Sequence, residues 1–323
     1  MSFPRVRVAV VRGGPSSEFE VSLQTGLNVL RSLPARFSGL DIFISPEGQW
    51  HMGGRVVSPE RVLPHADVIF NALHGEYGED GRIQRLLSDF GVPYTGSDAL
   101  GSAIAMNKAL AKKLLKNKLE LKMPEDVAVG ADEPVSESVE KIFRLMSPPY
   151  MVKPIALGSS VGIKKADTIP ALAAALGEIL ERQKSALVEE FIFGREATCG
   201  VVEGLRGQEI YALPPVEISP PSDRPFFDYE AKYGGRSREV CPGCFDAGDK
   251  EEIQRLSSAV HGALGLRHYS RSDFIVSPKG IYFLEVNTLP GLTDESLFPK
   301  SLEAVGVSMP EFVEHVVELA LRS

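Results

Sequence analysis

The stretch that most limits what this 323-residue chain can become covers residues 271–296, RSDFIVSPKGIYFLEVNTLPGLTDES. Two β-branched and aromatic runs flank Ser277-Pro278-Lys279-Gly280. In that spacer Pro fixes φ at one turn position and Gly accepts positive φ at another, so a hairpin is expected. Side chains alternate along a strand, so Arg271 shares a face with Asp273, and Glu285 with Asn287. The hairpin then brings Asp273 to within about one residue of facing Glu285. Two carboxylates and an amide oxygen converge beside an arginine. Oxygen ligands without thiol or imidazole suit Mg²⁺, which keeps part of its coordination for water and substrate phosphates. The same residues also read as a salt-bridged edge hairpin with its acids in solvent, and this stretch alone leaves both readings open. Leu289-Pro290-Gly291-Leu292-Thr293, which follows, is loop material able to turn backbone N–H groups toward the acids.

Composition narrows the partners. A net charge of −8 argues against a nucleic-acid backbone, though not against nucleotides held by local clusters. With 43% apolar residues the chain is globular, with material for two or three domains. Its apolar runs fall far short of the roughly 20 residues that cross a bilayer, so no membrane partner is expected. The N-terminal apolar run, residues 8–11, is too short for a signal peptide and reads as a first strand. Cys199, Cys241 and Cys244 make a poor disulfide framework. The single Cys-Pro-Gly-Cys spacing reads as incidental loop thiols of a reducing cytoplasm.

Residues 5–96 alternate strand and helix patterns: strands near 6–11, 41–45 and 66–73, helices near 21–30 and 83–90. That alternation predicts a parallel sheet with helices on its faces and ligands at the carboxyl ends of its strands, where residues 13–22 and 74–81 fall. Residues 97–118 read as one long helix carrying Lys108, Lys112, Lys113, Lys116 and Lys118, of which only Lys108 stands apart from a solvated face. Residues 125–149 read as a connecting segment. They precede a strand at 150–154, a Gly/Ser loop, a helix near 171–182 and a strand at 186–192. From there to the end come strands, a loop-like stretch at 214–246, a helix at 250–264, the hairpin and an amphipathic helix from Met309.

Two further stretches carry chemistry. Lys153 ends a strand and leads into a Gly/Ser loop (Gly158, Ser159, Ser160, Gly162) whose N–H groups and hydroxyls can close over phosphates. It lacks the GxxxxGK[ST] order of a P-loop, and a mobile turn remains open. Glu189 and Glu196 flank the apolar bend Phe191-Ile192-Phe193. They can take a nucleotide's base edge and ribose hydroxyls, or simply face solvent.

Taken in order, a lysine, a lysine with a Gly/Ser loop, a Glu-containing hinge and Asp…Glu-x-Asn resemble the ATP-grasp enzymes. Over essentially its full length the chain resembles the D-alanine–D-alanine ligases. The matching blocks are residues 13–22 (GGPSSEFEVS), 73–81 (LHGEYGEDG), 93–96 (PYTG), 153–162, 228–233 (DYEAKY), 271–273 and 285–296. The resemblance implies an α/β, three-domain ATP-grasp architecture. An N-terminal parallel α/β domain (1–96) would be followed by two α+β domains (97–197 and 198–323) with the nucleotide between them. It implies phosphorylation of one D-alanine carboxylate by ATP, then attack by the amine of a second D-alanine. Two Mg²⁺ ions, with Mn²⁺ as an alternative, would sit on Asp273, Glu285 and Asn287. Lys108, Lys153, Lys232 and Ser160 would contact the nucleotide with Glu189 and Glu196. Arg271 and the Gly291 N–H would form the oxyanion site. Glu20 would hold the first ammonium, and Ser159 and Tyr233 would link to it in a chain closing the site under a lid at 228–243. Ser296 and the Leu297 backbone would bind the second carboxylate. His74 would lie near the first substrate or serve structurally. A cytoplasmic homodimer engaged in peptidoglycan precursor synthesis is also implied.

Departures from the family pattern are few: Asn107 for a common aspartate, Ile155-Ala156 for a small and polar pair, and Ser272 for an apolar residue. The first two would weaken nucleotide contacts. Relatives making D-alanyl–D-lactate carry a histidine in the role of Tyr233, so tyrosine favours the dipeptide. A sibling ligase with another acceptor, such as D-lactate, and a nucleotide-binding homologue without ligase activity are the competing readings. The N-terminal glycines are not GxGxxG, which sets a dinucleotide oxidoreductase aside.

Overall fold

The computed structural model describes residues 5–156, 162–219 and 238–323. Ser159, Ser160, Lys232 and Tyr233 lie outside the described residues, as does most of the expected lid.

The first sheet grows from the buried run β1 (Val6–Gly13). After it come α1 (Phe19–Ser32), β2 (Phe37–Ile44), β3 (Trp50–Met52), β4 (Arg55–Val57), the short α2 (Pro59–Val62) and β5 (Val68–Asn71). The strand order is β4-β3-β2-β1-β5. β1 pairs in parallel with β2 and β5, as the alternating pattern predicts. The β3–β4 hairpin is antiparallel and was not expected. Its signal is Gly53-Gly54, both at positive φ, a pair suited to a two-residue hairpin turn; strands of three residues with His and Arg gave no apolar alternation to read. Helix α3 (Arg82–Asp89) follows.

The expected single helix over 97–118 is two: α4 (Ala99–Met106) and α5 (Lys108–Lys118). Asn107 divides them. Its side-chain oxygen accepts from the Leu110 N–H at 3.0 Å and caps α5, because a short amide competes for the backbone and favours helix starts over interiors. The supposed connector at 125–149 contains β6 (Asp126–Gly130) and α6 (Val135–Leu145). With β7 (Tyr150–Pro154), β8 (Lys164–Ala166), α7 (Ile169–Arg182) and β9 (Ser185–Glu190), they form an antiparallel sheet of order β6-β9-β7-β8. Val152, Ala186 and Val188 pack against Leu172, Leu176 and Ile179 of α7 and Ile142 of α6. Alternation puts Met151, Lys153 and Glu189 on the opposite face.

A third, antiparallel sheet holds β10 (Arg195–Glu203), β11 (Ile210–Ala212), β12 (Val216–Ser219), β13 (Arg238–Val240), β14 (Tyr269–Ser277) and β15 (Gly280–Asn287), in the order β13-β12-β10-β14-β15 with β11 beside β10. Helix α8 (Ala247–Ala263) covers one face through Ile253, Leu256 and Val260, which meet Phe274 and Phe283. Gly194 lets the chain pass from β9 to β10, since a Cβ there would lie 2.4 Å from the Val276 carbonyl oxygen.

Helix α9 (Leu297–Ala304) was not anticipated, while α10 (Met309–Arg322) begins where expected. Ser308 and Glu311 form a capping box at the start of α10. Phe312, Val313, Val316, Val317 and Ala320 are fully buried in one cluster with Val8 and Phe70 of the first sheet and Tyr269 of the third. At roughly 1.5–3 kcal/mol for each fully buried large apolar side chain, this helix is a main bond between the chain's two ends. The Gly96 N–H donates to His268 Nδ1 at 3.0 Å and adds a polar tie between the same two parts.

Candidate active site

A cavity of about 380 Å³ opens between the second and third sheets. Lys153 and Glu189 line it from one side, Glu196, Asp273 and Glu285 from the other, with Phe191 and Phe193 of the β9–β10 bend between them. The two phenyl rings meet edge-on at 4.8 Å, and the Lys165 ammonium lies 4.9 Å above Phe191. A charged floor with an apolar bend suits a nucleotide, whose base wants flat apolar contact and whose phosphates want cations.

The hairpin forms as its turn chemistry requires, with Asp273 registered directly opposite Glu285 and Arg271 opposite Asn287. A bulge between Asp273 and Phe274 leaves Leu284 as the extra residue, the kind of irregularity that re-aims side chains beside a site. Arg271 grips Asp273 with two hydrogen bonds of 3.0 Å each, and Thr198 adds one of 2.5 Å to Asp273 Oδ1. Lys108 Nζ lies 3.1 Å from Glu285 Oε2. The Asn287 amide oxygen accepts from the Leu289 N–H at 2.8 Å and keeps a second lone pair. The acids therefore do not merely face solvent: both are held by cations on the cavity wall. Among the described residues no group of three His, Cys, Asp or Glu side chains is placed to hold a metal. The donor set is two carboxylates and an amide, which fits a hard cation that completes its shell with phosphate oxygens and water.

On the facing sheet Glu189 is fully enclosed, and each of its oxygens has a lysine. Lys153 Nζ lies 2.5 Å from Oε2, and Lys112 pairs with Oε1. Lys112 also lies 3.4 Å from Asp126. Burial pushes the Glu189 carboxyl up, but Lys153 and then Lys112 outweigh it and hold the group below the usual carboxylate value. Burial likewise drives Lys153 down, and Glu189, with Glu285 and Asp126, more than reverses it. Lys112 thus corrects the reading of a solvated lysine face. At 3% exposure it belongs to the site, and its i+4 spacing from Lys108 was the one signal that could have found it.

The remaining candidates divide between α1 and the loop after β15. Glu20 is exposed in the first turn of α1. Gly291 sits against Ser296, whose Oγ would lie 2.8 Å from a Cβ placed there. Ser296 turns its hydroxyl to Thr293 Oγ1 at 2.7 Å instead of capping α9, so it stands beside helix N–H groups that favour an anion. Leu297 begins α9 and is buried. Helix α1 clamps the intervening peptide: Asn28 Nδ2 donates to the Leu292 carbonyl at 2.7 Å, and the Leu292 N–H donates to Thr25 Oγ1 at 3.3 Å. No motif pointed to Thr25 or Asn28. His74 is buried behind α1, its Nε2 2.9 Å from Thr25 Oγ1 and its Nδ1 3.8 Å from Glu79, in a supporting position one step from this clamp. Ser272 has a buried hydroxyl with no partner among the described residues. The cysteines are free, and burial pushes the Cys199 thiol up to about 12.

Models of the D-Ala–D-Ala ligase N-terminus and C-terminus match residues 51–97 and 114–318. The D-alanine–D-alanine ligase of Desulfotalea psychrophila is 38% identical over 98% of this chain and 95% of that protein. That of Syntrophobacter fumaroxidans is 37% identical over 99% of each. The chain belongs to the D-alanine–D-alanine ligase family. Its fold is that of the family: the D-Ala:D-Ser ligase VanG of Enterococcus faecalis superposes with a TM-score of 0.85 at 29% identity, over 98% of this chain and all of that one. The ligase of Coxiella burnetii, 24% identical, superposes with a TM-score of 0.84 over 98% of this chain and 94% of that one. Among the described residues no helix of this family member is long and apolar enough to cross a membrane.

Proposed function

We propose that this chain joins two D-alanines at the expense of ATP, a cytoplasmic step of peptidoglycan precursor synthesis. The observation that carries the reading is the register of Asp273 with Glu285 on the wall of a cavity whose other wall presents Lys153, in a chain of this family. We assign the work to three units, 1–96, 97–197 and 198–323, with the nucleotide between the last two. The family's homodimer is taken as the assembly.

In this reading a carboxylate oxygen of the first D-alanine attacks the γ-phosphorus and ADP leaves. The amine of the second D-alanine attacks the acyl carbon, loses a proton, and the tetrahedral centre collapses with loss of inorganic phosphate. Two Mg²⁺ ions, held by Asp273, Glu285 and Asn287, would neutralise phosphate charge. Lys108 and Lys153 would add fixed positive charge beside them. Glu189 and Glu196, at the two ends of the apolar bend, would take the base edge and the ribose hydroxyls, Glu189 through lone pairs that its two lysines leave over. Arg271 and the Gly291 N–H would stabilise the oxyanion, where fixed donors matter most. Glu20 would hold the first ammonium, and Ser296 with the Leu297 N–H the second carboxylate. Ser159, Ser160, Lys232 and Tyr233 complete the assignment from outside the described residues. Ser160 and Lys232 would contact the nucleotide, and Ser159 and Tyr233 would link to Glu20 and close the site against water, which otherwise consumes an acyl phosphate.

The test is phosphate release with ATP, Mg²⁺ and D-alanine, with the product identified by mass, beside L-alanine, D-serine and D-lactate. The expected result is stoichiometric phosphate and D-alanyl-D-alanine, with L-alanine inert. Product only with D-lactate or D-serine as acceptor would replace the assigned substrate, and ATP binding without D-alanine-dependent phosphate would overturn the ligase reading.

A further inference from the structure

Lys112 is a buried cation that the proposed steps leave unused. It sits one turn after Lys108 on α5, behind the cavity-lining Glu189, whose carboxylate it shares with Lys153. Glu189 and Lys153 alone would form a closed neutral pair, and the field of such a pair largely cancels at the distance of a bound phosphate. Two ammonium groups on one carboxylate leave a net positive charge. Asp126, beside Lys112, is a third exposed and screened by water, and Glu285, which also acts on Lys153, is paired with Lys108, so the two acids offset only part of that surplus. The enclosure of Lys112 and Glu189, both below 5% side-chain exposure, keeps the surplus from being screened in the same way.

We propose that Lys112 is a positioning residue for the nucleotide's phosphates: by occupying Glu189 Oε1 it leaves the Lys153 ammonium electrostatically available to them. The inference rests on the ATP-binding reading above. It separates Lys112 from a mere strut, because a strut would support adenine, ribose and phosphates alike. The carboxylate of Glu189 then divides its charge between two lysines.

The experiment is equilibrium binding of Mg-ADP and of adenosine to the full chain, for wild type, Lys112→Met, Lys112→Arg and Asp126→Asn. Lys112→Met should weaken ADP roughly tenfold, the size of a charge removed at close range in a partly solvated site, and shift adenosine by less than about twofold. Lys112→Arg should restore most of the ADP affinity, and Asp126→Asn, on the more exposed side, should tighten ADP. Equal losses for ADP and adenosine in Lys112→Met would mean a structural role and overturn the proposal. So would an unchanged ADP affinity. Should Lys112→Met not fold, an unaltered ADP-to-adenosine ratio in Asp126→Asn overturns it as well. Failure of wild type to release phosphate with D-alanine would count against the ligase reading alone, since the binding ratio needs no turnover.

Discussion

Two carboxylate clusters face each other across the cavity, and they differ in what they can release. On the β14–β15 hairpin, Asp273 and Glu285 are paired with Arg271 and Lys108, and Glu285 keeps 22% of its side chain accessible. On the β7–β9 face, Glu189 is enclosed between Lys112 and Lys153 with 2% accessible. An accessible carboxylate can exchange an ammonium partner for a hydrated cation at little cost. An enclosed one between two lysines cannot, because losing either partner strands a charge in a poorly solvated place. The comparison teaches that the two glutamates, Glu285 and Glu189, divide into a working and a supporting acid according to burial, with Asp273 between them at 11% accessible.

The largest effect expected from breaking that division is on stability. Glu189→Ala strands two buried lysines and should cost about 3–5 kcal/mol in denaturant unfolding. Its pH dependence sharpens the point. The Glu189 carboxyl is held below its ordinary value of 4.5, so its contribution is fully present above pH 4.5 and is lost as pH falls through the lower folded value. The stability gap between wild type and Glu189→Ala should be constant near neutrality and close below pH 4.5. A gap that stayed open there would contradict the charged arrangement. Glu285→Gln should do the reverse, lowering turnover roughly 10²–10³-fold, as expected for a lost element of transition-state charge stabilisation, while its melting temperature stays close to wild type. Wild-type-like turnover in that variant would remove Glu285 from the metal set.

The two clusters were unequally legible in the chain. The hairpin could be read because everything it needs is local: a Pro-Lys-Gly turn and a period of two put Asp273 against Glu285. The bulge that aims them could not, since it depends on how Leu284 packs. Lys112 and Glu189 lie 77 residues apart on a helix and a strand that meet only in the folded molecule, and a lysine-rich helix face reads as solvated unless its partner is known. The same reason hid Thr25 and Asn28, whose contacts with Leu292 span 267 and 264 residues. The parallel part of the first sheet and the last helix were readable from periodicity alone. The break at Asn107 was not, because a cap within a continuous apolar pattern looks like one more polar position.

A smaller effect tests how firmly the hairpin's following loop is held. Asn28→Ala removes one hydrogen bond to the Leu292 carbonyl, next to the proposed oxyanion N–H of Gly291. Stability should fall by about 1 kcal/mol. Turnover should fall several-fold, with the KM for ATP unchanged in steady-state assays. A change confined to the ATP KM would show that α1 does not position this loop for the acyl-transfer step.

The most direct test of the account is the fate of carboxylate oxygen. D-Alanine labelled with ¹⁸O in its carboxylate would be turned over with ATP and Mg²⁺, and the released phosphate analysed by mass. Because the carboxylate oxygen that attacks the γ-phosphorus leaves with it, the account predicts one labelled oxygen in each phosphate, alongside D-alanyl-D-alanine. Unlabelled phosphate would mean that water, not D-alanine, accepts the phosphoryl group, and would contradict the acyl phosphate route.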